Sequence, residues 1–226
     1  MTTKWDKPLY EYTLPSREVV INVSRSCPSF SKPTPGVADV AAELARDGRL
    51  RVLDFGAGKL RNTLFLLRHR AGFCVSAVEY QDCFKTPAGA KRLKAAKRYK
   101  KFFFLTYPSV FLAAKLQVDA VFLINVANVI PDEEDRRLII AECTERLRRG
   151  GWFLWMSQYG EPHYKPGVTR RLRVADGWCY NLAKHEQTFF KEFKIPEIHG
   201  YFASNQYKLI RGVNAAHHRA FLFERH

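Results

Sequence analysis

The sequence lacks a CxxC pair, a run of about 18 apolar residues and an apolar segment near its start. Its five cysteines are scattered along 226 residues, which is typical of free thiols in a reducing compartment. These absences argue against a structural zinc site, a membrane-spanning helix and a secreted, disulfide-rich domain. We therefore expect a cytoplasmic protein with no metal site and no membrane partner.

Acidic residues are scarce relative to basic ones: 22 Asp and Glu stand against 37 Lys and Arg, a formal net charge of +15. Such an excess indicates an anionic partner, most often RNA or DNA, although a solvated basic surface would give the same count. The basic residues form two clusters. One comprises Lys85, Lys91, Arg92, Lys94, Lys97, Arg98, Lys100 and Lys101, and the other comprises Lys165, Arg170, Arg171 and Arg173.

Apolar strands alternate with helical segments along most of the chain. The predicted strands span residues 50–55, 73–80, 102–107, 118–126 and 152–159, and the predicted helices span residues 36–48, 59–72, 87–101, 107–117 and 132–149. Two alternating segments, 207–213 and 219–225, predict a closing hairpin. Because such crossovers are right-handed, the pattern predicts an α/β fold. Its seven-stranded sheet would be mostly parallel, with helices on both faces and an antiparallel C-terminal hairpin.

The chain divides into an N-terminal arm and one domain. Residues 1–34 are rich in Pro and Ser and predict an irregular arm with a short strand at 18–23. Residues 35–226 form a single domain, in which a segment at about 159–195 is expected to cover the substrate. Within that segment we predict a basic loop at 161–177 and a helix at 178–193.

The stretch RVLDFGAGKLRNTLFLL, residues 51–67, is a strand, a glycine turn and a helix start, an arrangement that turns backbone N–H groups toward a ligand. It lacks the third glycine of a dinucleotide-binding loop, because Arg61 stands there. The strand also ends in Asp54, a carboxylate that would repel a pyrophosphate and would suit a cationic ligand. A dehydrogenase-type site is therefore disfavoured.

Three ordered motifs carry a resemblance. VLDFGAGKLRNTLFLL resembles the first motif of class I S-adenosylmethionine-dependent methyltransferases. VSAVEY resembles the second, and the stretch from VDAVFLINV to WFLWMS resembles the fourth strand, the following helix and the Gly-Gly turn. The resemblance covers residues 37–158 in the expected order. It implies a Rossmann-like methyltransferase domain with S-adenosylmethionine as the cofactor.

The resemblance also assigns cofactor-binding roles to individual residues. Asp54 would hold the methionine amino group, directly or through water, and Gly56 and Gly58 would let the backbone approach the methionine part. Glu79 would accept both ribose hydroxyls, and Asn125 would lie near the methyl group. Each of these polar residues also has a simpler interpretation as a helix cap, a solvated strand end or a turn residue.

Two features depart from the family pattern. Leu60 stands where many members have a glycine, so we expect a less open loop. Thr106 and Tyr107 end the third strand, where the family often places an acid or an amide against the adenine amine. We therefore predict that the adenine is held by a backbone N–H or by stacking on Tyr107.

The sequence has neither the (Asp/Asn/Ser)-Pro-Pro-aromatic run of adenine-amine methyltransferases nor the Pro-Cys nucleophile of cytosine-carbon enzymes. If the acceptor needs a base, candidates come from the segment after the fifth strand. Tyr159 and His163 are the predicted catalytic residues, because histidine titrates near neutrality and the loop leads away from the open edge of the sheet. A plain surface histidine in a basic loop is the alternative for His163.

We interpret the chain as a methyltransferase that acts on nucleic acid or another anionic substrate by in-line methyl transfer. Lys165, Arg170, Arg171 and Arg173 would bind that substrate. One alternative is a small-molecule methyltransferase with a lid formed by the arm and residues 160–195, which a deep aromatic-lined cavity would favour. Another is a non-catalytic nucleic-acid-binding scaffold with the same fold.

Overall fold

The computed structural model describes residues 9–26, 32–159, 172–180, 185–202 and 206–226. Its strands are β1 (Leu9–Leu14), β2 (Arg17–Asn22), β3 (Arg51–Phe55), β4 (Cys74–Glu79), β5 (Phe102–Thr106), β6 (Val118–Ile124), β7 (Leu147–Gln158), β8 (Leu172–Val174), β9 (Gly177–Tyr180), β10 (Thr188–Phe190), β11 (Tyr207–Gly212) and β12 (His218–Arg225). Its helices are α1 (Val37–Arg46), α2 (Arg61–Arg68), α3 (Pro87–Ala96), α4 (Ser109–Ala113), α5 (Glu133–Arg146) and α6 (Ile195–Gly200).

Seven strands form the main sheet in the order β11-β12-β7-β6-β3-β4-β5. Strands β3 to β7 are parallel, and β12 pairs antiparallel with both β7 and β11. This confirms the predicted fold class and the C-terminal hairpin. No helix in the described ranges has the length and apolar character that crossing a bilayer requires.

Helices cover both faces of the sheet, because successive strand residues point to opposite sides. In β3, Val52 belongs to the core under α1, α2 and α3, whereas Leu53 belongs to the core under α4, α5 and α6. Strand β6, VDAVFLI, is buried along its whole length, as a central parallel strand should be. The two cores pack against opposite faces of the sheet and so fix the positions of the strand ends.

A side-chain cap explains where α5 begins. The Asp132 side chain accepts hydrogen bonds from the N–H groups of Glu134 (2.9 Å) and Asp135 (3.3 Å) at the start of α5. Helix α5 ends at Arg146, earlier than predicted, and β7 begins directly at Leu147. The glycines of the expected Gly-Gly turn therefore lie within β7.

A second layer of strands replaces the predicted helix at 178–193. Residues 177–180 and 188–190 are β9 and β10, which form a three-stranded antiparallel sheet with β8, part of the predicted loop. The arm is also more regular than expected, since β1 and β2 form a hairpin. Short apolar runs such as these fit a helix and a strand equally well, so the sequence pattern does not distinguish the two.

The hairpin β1–β2, the turn that follows it at Val23–Ser26 and the sheet β8–β9–β10 together form one unit, which we call the cap. Gln187 joins them: its N–H donates to Val20 O (2.7 Å), and its O accepts from Asn22 N–H (3.0 Å). Val19, Val174 and Phe189 lie in the shared core. The arm and the 159–195 segment are therefore packed against each other in the described residues.

Candidate cofactor site

A cavity with about 910 Å³ of empty space, part of it open to solvent, lies at the carboxyl ends of β3, β4 and β6. This is the edge where open α/β sheets bind ligands. The turn after β3, the ends of β4 and β6 and the start of the cap supply its walls. The cap contributes Tyr10 and Val23 to that lining.

The glycine turn adopts backbone angles that other residues avoid. Gly56 has φ 65° and Gly58 has φ 53°. A Cβ on Gly56 would lie 2.3 Å from Val126 Cγ2, so the turn and the end of β6 are in close contact. Both glycines line the cavity, as expected.

Leu60 does not narrow this turn, contrary to expectation. It keeps the left-handed conformation of the missing glycine, with φ 61°, and caps the start of α2. Its side chain is fully buried in the core on the α1–α3 face and does not line the cavity. The departure from the family pattern therefore alters the core and leaves the cavity open.

Glu79 ties the two strand tips together. Its Oε2 accepts from Gly58 N–H (2.7 Å), and its Oε1 accepts from Tyr80 N–H (2.8 Å). Burial raises the pKa of this carboxyl, although the two backbone donors oppose the shift. Each oxygen has a second lone pair, so the carboxylate lining the cavity can still accept hydroxyl groups.

Asp54 lies beneath the turn and does not line the cavity. Its side chain is 1% exposed, and its Oδ2 accepts a 2.5 Å hydrogen bond from Thr63 Oγ1 on α2. Burial raises the pKa of Asp54 to about 6, and the nearby Glu79 carboxylate adds to the shift. The structure therefore gives no direct route from this carboxylate to a ligand in the cavity; a contact through water stays a prediction.

Replacing Asp54 should stabilise the unliganded protein at high pH. A raised carboxyl pKa means that ionisation opposes folding, so this cost is absent below about pH 4, grows up to about pH 6 and is constant above it. We expect Asp54→Asn to gain up to about 3 kcal/mol of unfolding free energy at pH 8. Thermal unfolding of both proteins between pH 4 and 8 measures this; a difference that does not vary with pH would contradict it.

Aromatic side chains form one wall of the cavity. The Tyr107 ring lies edge-on to Phe55, with centroids 5.3 Å apart, and to Tyr80, with centroids 5.4 Å apart, and all three line the cavity. Tyr107 therefore lies where an adenine ring could contact it. Thr106 pairs with Glu79 in the sheet and is not among the residues that line the cavity, so its role in cofactor binding stays a prediction.

Asn125 lines the cavity in a left-handed conformation, with φ 58°, just after β6. Its Nδ2 lies 3.1 Å from His218 Nε2. His218 Nδ1 lies 2.9 Å from Ala215 O and 2.7 Å from Ala216 O. Carbonyls only accept, so Nδ1 carries the proton and Nε2 accepts from the Asn125 amide. Asn125 Oδ1 is then buried without a partner among the described residues.

His218 is a site residue that the sequence interpretation missed. The pair His217-His218 resembles a hairpin turn in the sequence, and His217 indeed has φ 46°. No local sequence pattern indicates this position, because it depends on the topology of the sheet: β12 pairs with β7 and places His218 opposite Gln158. That pairing brings the start of β12 to the same edge of the sheet as Asn125.

Two of the remaining predicted residues, Tyr159 and Arg173, are described by the structure, and neither lines the cavity. Tyr159 is 39% exposed, lies beneath the Arg219 guanidinium and does not line the cavity. Arg173 is in β8, with its guanidinium over the Trp178 ring, away from the cavity lining. His163, Lys165, Arg170 and Arg171 lie outside the described residues, so their roles stay predictions.

Solved structures share this fold at low sequence identity. One is the 1,6-didemethyltoxoflavin N1-methyltransferase of Burkholderia thailandensis with its substrate and S-adenosylhomocysteine (TM-score 0.58, 20% identity, 84% of this chain and 78% of that one). A second is an S-adenosylmethionine-bound amino pentose methyltransferase of Micromonospora echinaspora (TM-score 0.59, 19% identity, 84% of this chain and 90% of that one). A third is the magnesium protoporphyrin IX methyltransferase of Synechocystis with S-adenosylhomocysteine (TM-score 0.58, 17% identity, 84% of this chain and 82% of that one).

These likenesses extend over most of both chains in each comparison. No family model and no curated protein matches the sequence. The chain has the Rossmann-like fold of class I S-adenosylmethionine-dependent methyltransferases.

Proposed function

We propose that the protein is a methyltransferase that binds S-adenosylmethionine in this cavity. The observation that carries the proposal is Glu79, a buried carboxylate fixed between the two strand tips by Gly58 and Tyr80 N–H groups. A carboxylate held in this way can accept two neighbouring hydroxyls, which the ribose of the cofactor would offer. The cofactor would supply a methyl group on a positively charged sulfur.

Other residues in and beneath the cavity wall fit the same ligand. Two buried carboxyls with raised pKa, Asp54 and Glu79, favour a cationic ligand, because a nearby positive charge would stabilise their ionised forms. The Gly56 turn leaves room for a ligand to approach the backbone, and Tyr107 offers an aromatic wall. The unpartnered Asn125 Oδ1 can accept one further hydrogen bond.

We further propose that the methyl acceptor is a small molecule held under the cap. Tyr10 and Val23 of the cap line the cavity, and Tyr10 also hydrogen-bonds Asp135 of α5, which anchors the cap to the main domain. Together with Tyr80 and Tyr107 they give a lining rich in aromatic and apolar side chains, which suits a partly apolar acceptor. The names of the similar methyltransferases also specify small acceptors.

Nucleic acid is the second candidate acceptor, favoured by the net charge of +15. The two candidates are separated by methyl transfer from labelled S-adenosylmethionine to three pools: small metabolites, RNA and DNA. We expect label in a small-molecule fraction. Label in RNA or DNA alone would reject the small acceptor while retaining the methyltransferase, and label in no pool would argue against the methyltransferase.

In this mechanism the chain's main contribution is to hold the reacting groups in line. His218 fixes the orientation of the Asn125 amide, so that Oδ1 remains the acceptor available to an N–H or O–H of the bound substrate. If the acceptor atom carries a proton that must leave, the predicted base is His163. Exclusion of water would depend on the cap.

Removing His218 should slow turnover and spare cofactor binding. Without Nε2 the Asn125 amide is free to flip, which would present a donor in place of the acceptor. We expect His218→Ala to lower kcat about tenfold and to change S-adenosylmethionine affinity little. Steady-state kinetics and calorimetry measure the two effects. His217→Ala, at the exposed neighbouring position, is the control; equal loss in both variants would contradict this role.

A further inference from the structure

The positive charge of the chain is concentrated in one part of the fold. Residues 55–118 contain thirteen Lys and Arg against two acids, Glu79 and Asp82, which is +11 of the total +15. Glu79 is buried in the cofactor site, and Asp82 pairs with Lys85. Most of the basic residues of this stretch are exposed, and acids are scarce around them, an arrangement that attracts polyanions.

A groove of about 1,530 Å³ runs between α2 and α3 within this basic region. Five cations line it, and no acid does so among the described residues; the cations are Arg61, Arg68, Arg70, Lys91 and Arg92. Arg68, Arg70 and Lys91 are exposed, and within the described ranges none of the three forms an ion pair. The groove is therefore a concave surface whose charged residues are all positive.

The groove also has an apolar, partly aromatic lining. Leu64, Phe65 and Ala95 contribute to it, and the half-buried Phe65 ring lies 6.4 Å from the His69 ring, which also lines the groove. Cations beside rings are the combination that binds single-stranded nucleic acid, since bases can stack on rings while phosphates contact the cations. A bilayer would need a flat or convex surface, so a concave groove does not favour a membrane.

The geometry points to a second binding site: the α2–α3 groove binds single-stranded RNA or DNA. Its lining includes no residue of the cap, under which the small acceptor is proposed to bind, and does not include Arg173 of β8. Arg61 lines both the groove and the cofactor cavity. A nucleotide chain in the groove would thus run beside the glycine turn. The site goes beyond the proposed function, and its existence does not depend on methyl transfer.

Fluorescence anisotropy with a labelled oligothymidylate of 20 nucleotides tests this site. Arg68→Glu/Lys91→Glu should weaken binding at least tenfold and reduce the slope of log affinity against log salt by about 1.4, the value for two lost phosphate contacts. The control Arg149→Glu/Lys208→Glu makes the same charge change at exposed residues of β7 and β11. It should change affinity less than threefold; equal losses in the two variants would overturn the proposal.

Three further measurements test base stacking, the lipid alternative and independence from the cofactor. Phe65→Ala should weaken oligonucleotide binding about fivefold, the lower end of the base-stacking range, with an unchanged salt slope; no loss would reject the nucleic-acid assignment. Binding to vesicles of anionic lipid without binding to the oligonucleotide would also reject it. The unmodified protein should bind the oligonucleotide equally well with and without S-adenosylmethionine, so failure of the cofactor proposal would leave this result unaffected.

Discussion

Glu79→Ala should lose at least 100-fold in affinity for S-adenosylmethionine. The substitution removes both oxygens proposed to accept the ribose hydroxyls and leaves the N–H groups of Gly58 and Tyr80 without their partner. An unpaired buried donor costs about 1–3 kcal/mol, so the turn should also lose its fixed shape. Calorimetric titration with the cofactor measures the affinity, and thermal unfolding reports whether the fold survives.

Two variants sharpen this prediction. Glu79→Gln keeps the side-chain volume and one carbonyl acceptor, so we expect an intermediate loss of affinity. Asp82→Ala removes the other acid of the 55–118 stretch, which is partly exposed and paired with Lys85, and should leave cofactor affinity unchanged. Wild-type affinity in Glu79→Ala would show that this carboxylate does not hold a ligand.

Gly56→Ala should destabilise the protein by about 3 kcal/mol or more and abolish cofactor binding. The backbone at φ 65° is strained for any side chain, and the new Cβ would lie 2.3 Å from Val126 Cγ2. Relief of that contact would push the turn into the cavity or away from β6. For a chain of this length such a loss lowers Tm by about 6–12 °C, measurable by scanning calorimetry.

Matched variants distinguish the two causes of the expected destabilisation, which are backbone strain at positive φ and the steric clash with Val126. Gly48 has a similar φ of 66°, but a Cβ added there would have nothing within 4 Å, so Gly48→Ala should cost only the backbone term of about 1–2 kcal/mol. Gly56→Ala/Val126→Ala removes the collision and should recover part of the stability. If Gly48→Ala and Gly56→Ala are equally destabilised, close packing against Val126 is not the cause.

Most of the sheet could be predicted because local patterns determine it. Strand β6 is apolar throughout, and a strand buried on both faces must be central. Right-handed crossovers then bring the ends of β3 and β4 to one edge, where Gly58 and Glu79 are joined by a hydrogen bond. The neighbouring positions of these two strand tips therefore followed from the sequence.

The cap could not be predicted in the same way. Its strands β8, β9 and β10 have only three or four residues each, too few to distinguish periods of 2 and 3.6. Its attachment depends on Gln187 pairing with β2, a contact between distant parts of the chain. No local pattern indicates such a contact.

Side-chain directions at the site were also beyond the sequence. Asp54 stands at the expected strand end, but its hydrogen bond to Thr63 keeps it beneath the turn. Leu60 was expected to narrow the loop, yet its backbone conformation directs it into the core. His218 reaches Asn125 only through the pairing of β12 with β7. These outcomes depend on packing between elements that are remote in sequence.

The most direct test of the account is calorimetric titration of S-adenosylmethionine into the unmodified protein. We expect one molecule bound per chain, with a Kd between about 1 μM and 1 mM, the range usual for enzyme ligands. Absence of heat, together with absence of any rise in Tm at millimolar cofactor, would contradict the assignment of this cavity.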